Sequence, residues 1–331
     1  MNSKVRIAVI GCGYWGRNLV RNFHALGALA AVVDSTEEGR AKARELAPCV
    51  AVFSDVEALF NQADIDGVVL ATPAITHASL GLAALAAGKH LFIEKPMALS
   101  LAEGRTLAEA ATKADRIIQV GHLLEYHPAF DLLREQATTR LGRLTRLQSH
   151  RTNFGKVRTE EDALWSLAPH DIAMILRLAD HLPDKVSCTG TFALGTKRVD
   201  TAVAILRFSG GLDAHVLCSW IHPVKEQRLI VIGERGAAVF DDTLATNKLV
   251  WHDQRVEWTA GSPTLVRHDP VPAPISTEEP LRRECAAFLA AIETGCAPVT
   301  DATSGLRVMA VLEACGRSME ESGAWHPVET P

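Results

Sequence analysis

This 331-residue chain carries no surplus of basic charge, no membrane-length apolar run, no paired-cysteine framework and no internal repeat. Each absence removes a class of function. Lysine and arginine number 34 against 39 acidic residues, a formal charge of −5, so the basic stripe needed for bulk nucleic-acid binding is missing. Apolar runs such as Ala25–Val33 stop well short of the roughly 20 residues that span a bilayer. Met1-Asn2-Ser3-Lys4 leads directly into a strand pattern with no signal-peptide h-region. Seven scattered cysteines, an odd number, do not make a secreted disulfide scaffold. What remains is 47% hydrophobic and 22% charged, the composition of an ordinary globular protein. The length predicts two domains at about 150 residues each, and the expected location is the cytoplasm.

The first third repeats one kind of unit. Apolar strand patterns at Val5–Ile10, Leu29–Val33, Gly67–Thr72, His90–Glu94 and Arg116–Val120 are separated by helical stretches. Such alternation predicts a parallel sheet covered by helices on both faces. The first helix carries Leu19, Val20, Phe23 and Leu26 on one side, with Gly27 as its C-terminal stop. Ser54 with Glu57, and Ser100 with Glu103, have capping-box spacing. This doubly wound domain is expected over residues 1–122. Residues 123–331 are expected to form a second α/β domain with an open, mostly antiparallel sheet. Its helices are predicted near Pro128–Ala137 and Pro169–Leu178, with a strand at Leu144–Phe154. A meander of strands follows at Val186–Ala193, Thr201–Phe208, Leu212–Trp220, Gln227–Gly233 and Gly236–Phe240. Thr259–Glu279 reads as a loop, and helices at Leu281–Thr294 and Ser304–Glu321 close the chain.

Gly11-Cys12-Gly13-Tyr14-Trp15-Gly16 fits the G-x-G-x-x-G fingerprint between a strand and a helix, with an acidic residue ending the next strand. Gly11 permits the tight turn, Gly13 lets backbone approach a pyrophosphate, and Gly16 allows close helix–strand packing. The helix N-terminus then presents its unsatisfied amides to the phosphates. Asp34 can accept hydrogen bonds from the adenosine ribose hydroxyls and would repel a 2′-phosphate. Arg40 is the first arginine after it, so NAD is the expected cofactor, with Tyr14, Trp15 and Ser35 beside it.

Two further constellations carry chemistry. Gly121-His122-Leu123-Leu124-Glu125-Tyr126-His127 approaches a zinc H-x-x-E-H pattern, but Tyr126 interrupts it and turns the last histidine about 100° around a helix. No metal is expected there; His122 and Tyr126 are candidates for cofactor and substrate contacts. Arg151, Asn153, Lys156 and Arg158 cluster with Phe154, and such cations suit a diphosphate while an aromatic suits a base.

Ala71-Thr72-Pro73 with His77, followed by Glu94-Lys95-Pro96 at a later strand end, resembles the glucose–fructose oxidoreductase/inositol dehydrogenase (Gfo/Idh/MocA) family along the whole chain. The resemblance implies that Lys95 reaches the substrate at the nicotinamide, and that Thr72, Pro73, His77 and Glu94 line the cofactor. The family's second motif, D-x-G-x-H-x-x-D, is matched at His170, whereas Ser166, Ala168 and Ala173 replace its other members. Ile172, Ile175, Leu176 and Ala179 are expected as that helix's core stripe, with His170 on another face. The segments Arg6–Asn18, Trp165–Ile172 and Ser219–Pro223 resemble the family's nucleotide-sugar 3-dehydrogenases. This implies UDP-N-acetylglucosamine or its uronate as substrate, with Trp165 among the contacts. It also implies a downstream aminotransferase in lipid A or O-antigen assembly, and a homodimer or homotetramer. In this reading His170 is the base and Lys95 the electrostatic partner. The alternatives are an NAD-binding regulator without turnover and an NADPH-driven ketosugar reductase, which Asp34 disfavours.

Overall fold

A computed structural model describes residues 5–60 and 64–331. Met1–Lys4, the stretch read as leading into the first strand, lie outside the described residues. By its internal contacts the chain forms two compact units: residues 1–126 with 278–309 and 331, and residues 127–277 with 310–330.

The first unit runs β1 (Ile7–Ile10), α1 (Gly16–Ala25), β2 (Leu29–Val33), α2 (Glu37–Leu46), β3 (Ala51–Phe53), α3 (Val56–Phe60), β4 (Gly67–Leu70), α4 (His77–Ala86), β5 (His90–Ile93), α5 (Leu101–Ala114) and β6 (Ile118–Val120). The six strands pair in parallel in the order β3-β2-β1-β4-β5-β6. This is the doubly wound order whose direction reverses beside β1, so ligands are placed at the carboxyl ends of the strands. β1, β4 and most of β5 are fully buried runs, as a sheet covered on both faces requires. The stripe of α1 is buried through Leu19, Val20 and Phe23, and Gly27 follows with φ +71°. β3 escaped the sequence reading because its three residues are exposed or half-buried.

One predicted cap holds and one moves. Ser100 accepts the Glu103 amide at 3.2 Å, while the Glu103 carboxylate reaches Leu99. At α3 the cap is Asp55, which accepts the Ala58 amide at 3.0 Å. Asp55 stands directly before the helix, where a short side chain reaches the orphan amides better than Ser54 one residue earlier.

A later helix, α9 (Pro280–Thr294), also belongs to this unit, whereas a single cut at residue 122 had assigned it to the second. Leu281, Cys285, Phe288 and Leu289 enter the core with Phe23 and Phe92. The three phenylalanine rings meet edge-to-face at 5.7–6.5 Å, an arrangement that adds to the burial of their area.

The second unit contains α6 (Pro128–Leu141), β7 (Leu144–Phe154), α7 (Ala163–Leu167), α8 (Pro169–Ala179), β8 (Lys185–Thr191), β9 (Thr201–Arg207), β10 (Asp213–Ser219), β11 (Ile221–Gly233), β12 (Gly236–Asp241), β13 (Leu249–His252), β14 (Gln254–Thr259), β15 (Ser262–Arg267) and β16 (Val271–Pro272). α10 (Ala302–Glu320) is divided between the units at Met309, and β17 (His326–Pro327) lies in the second. Nine strands form one sheet in the order β16-β13-β12-β11-β7-β10-β9-β8-β17. The pairing is antiparallel except between β7 and β10. The expected meander is therefore interrupted: β10 and β11 flank β7 instead of pairing with each other. Thr259–Glu279 is not all loop, since β15 pairs with β14 and β16 with β13. β15 is almost wholly exposed, so no apolar alternation marked it. Among the described residues no helix is long and apolar enough to cross a membrane.

Candidate functional site

The predicted cofactor residues of the first unit gather at the carboxyl ends of its parallel strands. Gly11 follows β1 with φ +96°, and a Cβ there would lie 2.7 Å from the Ala71 carbonyl oxygen. A Cβ at Gly16 would collide with the Gly11 carbonyl, whereas one at Gly13 would meet no described atom within 4 Å. Thus Gly11 and Gly16 are required by the protein's own packing, and Gly13 leaves open space. Tyr14 is 83% exposed, with the Arg17 guanidinium over its ring at 5.0 Å.

Asp34 closes β2. One of its oxygens accepts the Cys12 amide at 2.7 Å; the other accepts the Thr36 amide at 2.9 Å and hydroxyl at 2.7 Å. Burial pulls its pKa up, but these donors and the Arg40 charge outweigh burial and hold the carboxyl below its ordinary value. Burial and this carboxylate together push the Cys12 thiol up to about 11. Arg40 is committed to the Asp34 and Ser35 carbonyls, both at 2.9 Å, and to Glu37. Its guanidinium thus serves the turn that displays Asp34. Ser35 is exposed. The sequence reading missed Gly39, where a Cβ would stand 2.2 Å from the Asp34 carboxyl carbon. The signal was available: a glycine in the first turn of the helix after the acid that closes β2 marks a close approach.

Past β4, the Thr72 and Thr76 hydroxyls are 2.7 Å apart, and Pro73 is the residue before the single 3-10 turn Ala74–Thr76. His77 is only 1% exposed. Its Nδ1 faces the Pro96 carbonyl at 2.8 Å and its Nε2 the Thr72 carbonyl at 3.0 Å. Burial lowers its pKa against the pull of both carbonyls, with the Lys95 charge adding to the lowering. A neutral ring donates to only one of the two carbonyls; with its proton on Nδ1 it bonds Pro96 and ties the segment after β4 to the segment after β5. His77 acts here as a brace under the site.

Past β5 come Glu94, half-buried Lys95 and a cis Lys95–Pro96 peptide. Trp15 donates its indole N–H to Glu94, and the Lys95 amide donates to the other carboxyl oxygen at 3.3 Å. Burial pushes the Glu94 pKa up to about 7, against the opposing effects of the Trp15 bond, the Lys95 charge and the Lys95 amide. His122 follows β6 and is buried. The Tyr126 hydroxyl bonds to Thr300 at 3.1 Å, and burial followed by Glu284 and Glu125 raises its pKa. Tyr126 is thus spent inside the first unit and not displayed for a substrate. His127, in the second unit, caps α6 by accepting the Ala129 amide at 3.0 Å. No group of three potential metal ligands occurs among the described residues.

In the second unit His170 is the second residue of α8, behind Pro169 and half-buried. Ile172, Ile175 and Leu176 are buried as expected, but so are Ala173, Met174 and Asp171, while Ala179 is half-buried. Asp171 is buried with partners of its own. Its carboxylate takes both Nε and an Nη of Arg151, at 2.6 and 3.2 Å, and the Ser149 hydroxyl at 2.6 Å. The start of α8 is thereby bolted to β7, with the acid in the first turn where the helix dipole favours it. Arg151, expected as a diphosphate ligand, is buried in this pair because a desolvated carboxylate claims its fork. Asn153 is half-buried, Lys156 and Phe154 are exposed, and Arg158 pairs with Glu161 at 3.2 Å. Half-buried Trp165 gives its amide to the Asp162 cap of α7 at 2.9 Å.

Comparison with known proteins agrees with this architecture. Residues 5–122 match the oxidoreductase family with NAD-binding Rossmann fold, and residues 134–239 match the GFO/IDH/MocA C-terminal domain. UDP-N-acetylglucosamine 3-dehydrogenase of Acidithiobacillus ferrooxidans is 30% identical over 92% of this chain and 94% of its own. Inositol 2-dehydrogenase of Paracoccus denitrificans is 27% identical over 99% and 97%. A solved structure of the Acidithiobacillus ferrooxidans UDP-N-acetylglucosamine 3-dehydrogenase superposes with TM-score 0.83 at 26% identity, covering 97% of this chain and 99% of that one. With its parallel dinucleotide sheet, its glycine turn and Asp34 suited to NAD, this chain belongs to the GFO/IDH/MocA family of NAD-dependent oxidoreductases.

Proposed function

We propose that this protein oxidises the 3-hydroxyl of a UDP-N-acetylglucosamine-type nucleotide sugar to the 3-keto sugar. The carrying observation is the near full-length similarity to a UDP-N-acetylglucosamine 3-dehydrogenase. The exposed Phe154 and Lys156 support it, because a displayed cation beside an aromatic suits a nucleotide diphosphate and an uncharged polyol such as inositol needs neither. Gly11, Gly13, Gly16 and Asp34 would hold NAD, which when bound supplies the two-electron oxidant.

The chain's own contribution is to the proton and the charge. Oxidising a secondary alcohol requires proton loss from oxygen. An ordinary imidazole, with a pKa of about 6.5, is largely unprotonated near pH 7, whereas an ordinary lysine at about 10.4 is not. His170 is therefore assigned the proton and Lys95 the developing negative charge. The keto product suits a following transamination, and the UDP-sugar uronate is the second reading of the same site.

A substrate panel with NAD, followed at 340 nm, tests the assignment. UDP-N-acetylglucosamine should be turned over, and free N-acetylglucosamine and inositol should not. His170→Ala should lower kcat by roughly 10²–10⁴ while leaving NAD affinity nearly unchanged. Turnover of inositol in preference to every nucleotide sugar would move the chain to the polyol branch.

A further inference from the structure

Glu94 is a buried carboxyl flanked by groups from four segments of the first unit. From the glycine-rich loop Trp15 donates its indole N–H to one oxygen, and from its own segment the Lys95 amide donates to the other. After β6, Gly121 packs so closely that a Cβ would lie 3.0 Å from that second oxygen. The charged and titratable groups that act on this neighbourhood are Lys95, Glu125 and Tyr126 of the turn Leu123–Tyr126, and Glu284 and Cys285 of α9. Glu284 is wholly buried, and neither of its carboxyl oxygens has a hydrogen-bond partner among the described residues. Burial, then Glu94 and Glu125, push its pKa well above the ordinary carboxylate value. A carboxylate accepts both the indole and the amide; a carboxylic acid must turn one oxygen into a donor and loses an acceptor. The two hydrogen bonds and the Lys95 charge therefore favour ionised Glu94, and burial opposes ionisation.

We propose that Glu94 is a proton-controlled positioning residue that couples the glycine-rich loop, through Trp15, to the peptide bearing Lys95. With Glu94 ionised, both segments are held from one carboxylate and the dinucleotide meets a preformed turn. With Glu94 protonated, the coupling weakens and the loop must be ordered at the expense of binding. The balance of burial against the two donors and the Lys95 charge sets the change near pH 7. The proposal rests on NAD binding by the first unit and not on the identity of the alcohol. A failed substrate panel leaves it standing, and its own failure leaves the panel untouched.

The test uses the full-length protein with ¹⁵N-labelled tryptophan indoles, the Trp15 resonance being assigned by its loss in Trp15→Phe. Between pH 5.5 and 8.5 that resonance should move through one inflection near pH 7. The NADH dissociation constant should rise about tenfold below the inflection, the factor equivalent to about 1.4 kcal/mol. Glu94→Gln should abolish both the shift and the pH dependence. If that variant does not fold, Trp15→Phe carries the test by itself. Removing the indole cuts the link between Glu94 and the loop, so Trp15→Phe must flatten the pH dependence of NADH binding. A flat Trp15 resonance, an identical titration in Glu94→Gln, or an undiminished pH dependence of NADH binding in Trp15→Phe would overturn the proposal.

Discussion

Asp34 and Glu94 make the most instructive comparison in the molecule. Both are carboxyls placed just past the ends of parallel strands of one sheet, and each accepts two or more hydrogen bonds. Their acidities nevertheless move in opposite directions, Asp34 down and Glu94 up to about 7. The difference is dehydration. Asp34 is half-buried beside the exposed residues Ser35 and Thr36, so its donors prevail over a moderate desolvation. Glu94 is 9% exposed and shares its interior with Glu284, so burial prevails over equally real donors. Strand-end position alone therefore does not decide what a carboxylate does: one serves as a fixed acceptor and the other as a group that titrates in the neutral range.

Removing the fixed acceptor gives the largest expected effect. Asp34→Ala should lower the ratio of NAD to NADP efficiency by about 10²-fold, since a 2′-phosphate beside a carboxylate costs several kcal/mol when poorly solvated. Steady-state kinetics with both cofactors measures it. Equal use of the two by the unaltered protein would break the reading of Asp34.

Crowding the same acceptor comes next. Gly39→Ala drives a methyl onto the Asp34 carboxyl and should cost about 1–3 kcal/mol of stability, with a raised KM for NAD. Thermal melts and cofactor titration check both, and an unchanged KM would show that Asp34 tolerates displacement.

The smallest effect separates the two groups by pH. Glu94 binds its proton more tightly folded than unfolded, so stability falls as pH rises from about 4.5 towards 7 and is flat above that. Asp34 has the opposite sign: its contribution is present above its ordinary pKa and is lost as pH falls below it. Urea melts at pH 5 and 8 should show this slope, and Glu94→Gln should reduce it to the part that Glu284 supplies. A slope that persists unchanged in Glu94→Gln would assign it to Glu284 instead.

Much of the first unit was legible in the chain because its signals are local. A strand, a turn that only glycine can make and an amphipathic helix declare themselves within about twenty residues, and Asp34 follows at the next strand end. The second unit was legible as strands but not as an order, because the position of β7 between β10 and β11 is a choice among long-range pairings that alternation cannot rank. Arg151 shows the same limit within the candidate site. Its sequence neighbours made it a phosphate ligand, and Asp171, twenty residues on, claimed its guanidinium.

The sequence by itself determined the dinucleotide turn, the NAD expectation resting on Asp34, most strands and helices of the first domain and the candidates Lys95 and His170. These depend on backbone dihedrals, side-chain chemistry and short periodicities. The tertiary structure alone decided that α9 completes the first core, that Tyr126 and Arg151 are spent on internal partners, and that Glu94 titrates near neutrality. Each of these depends on which distant side chains exclude water from a given atom. Solvation is a property of the folded surroundings and is not written into any local run of residues.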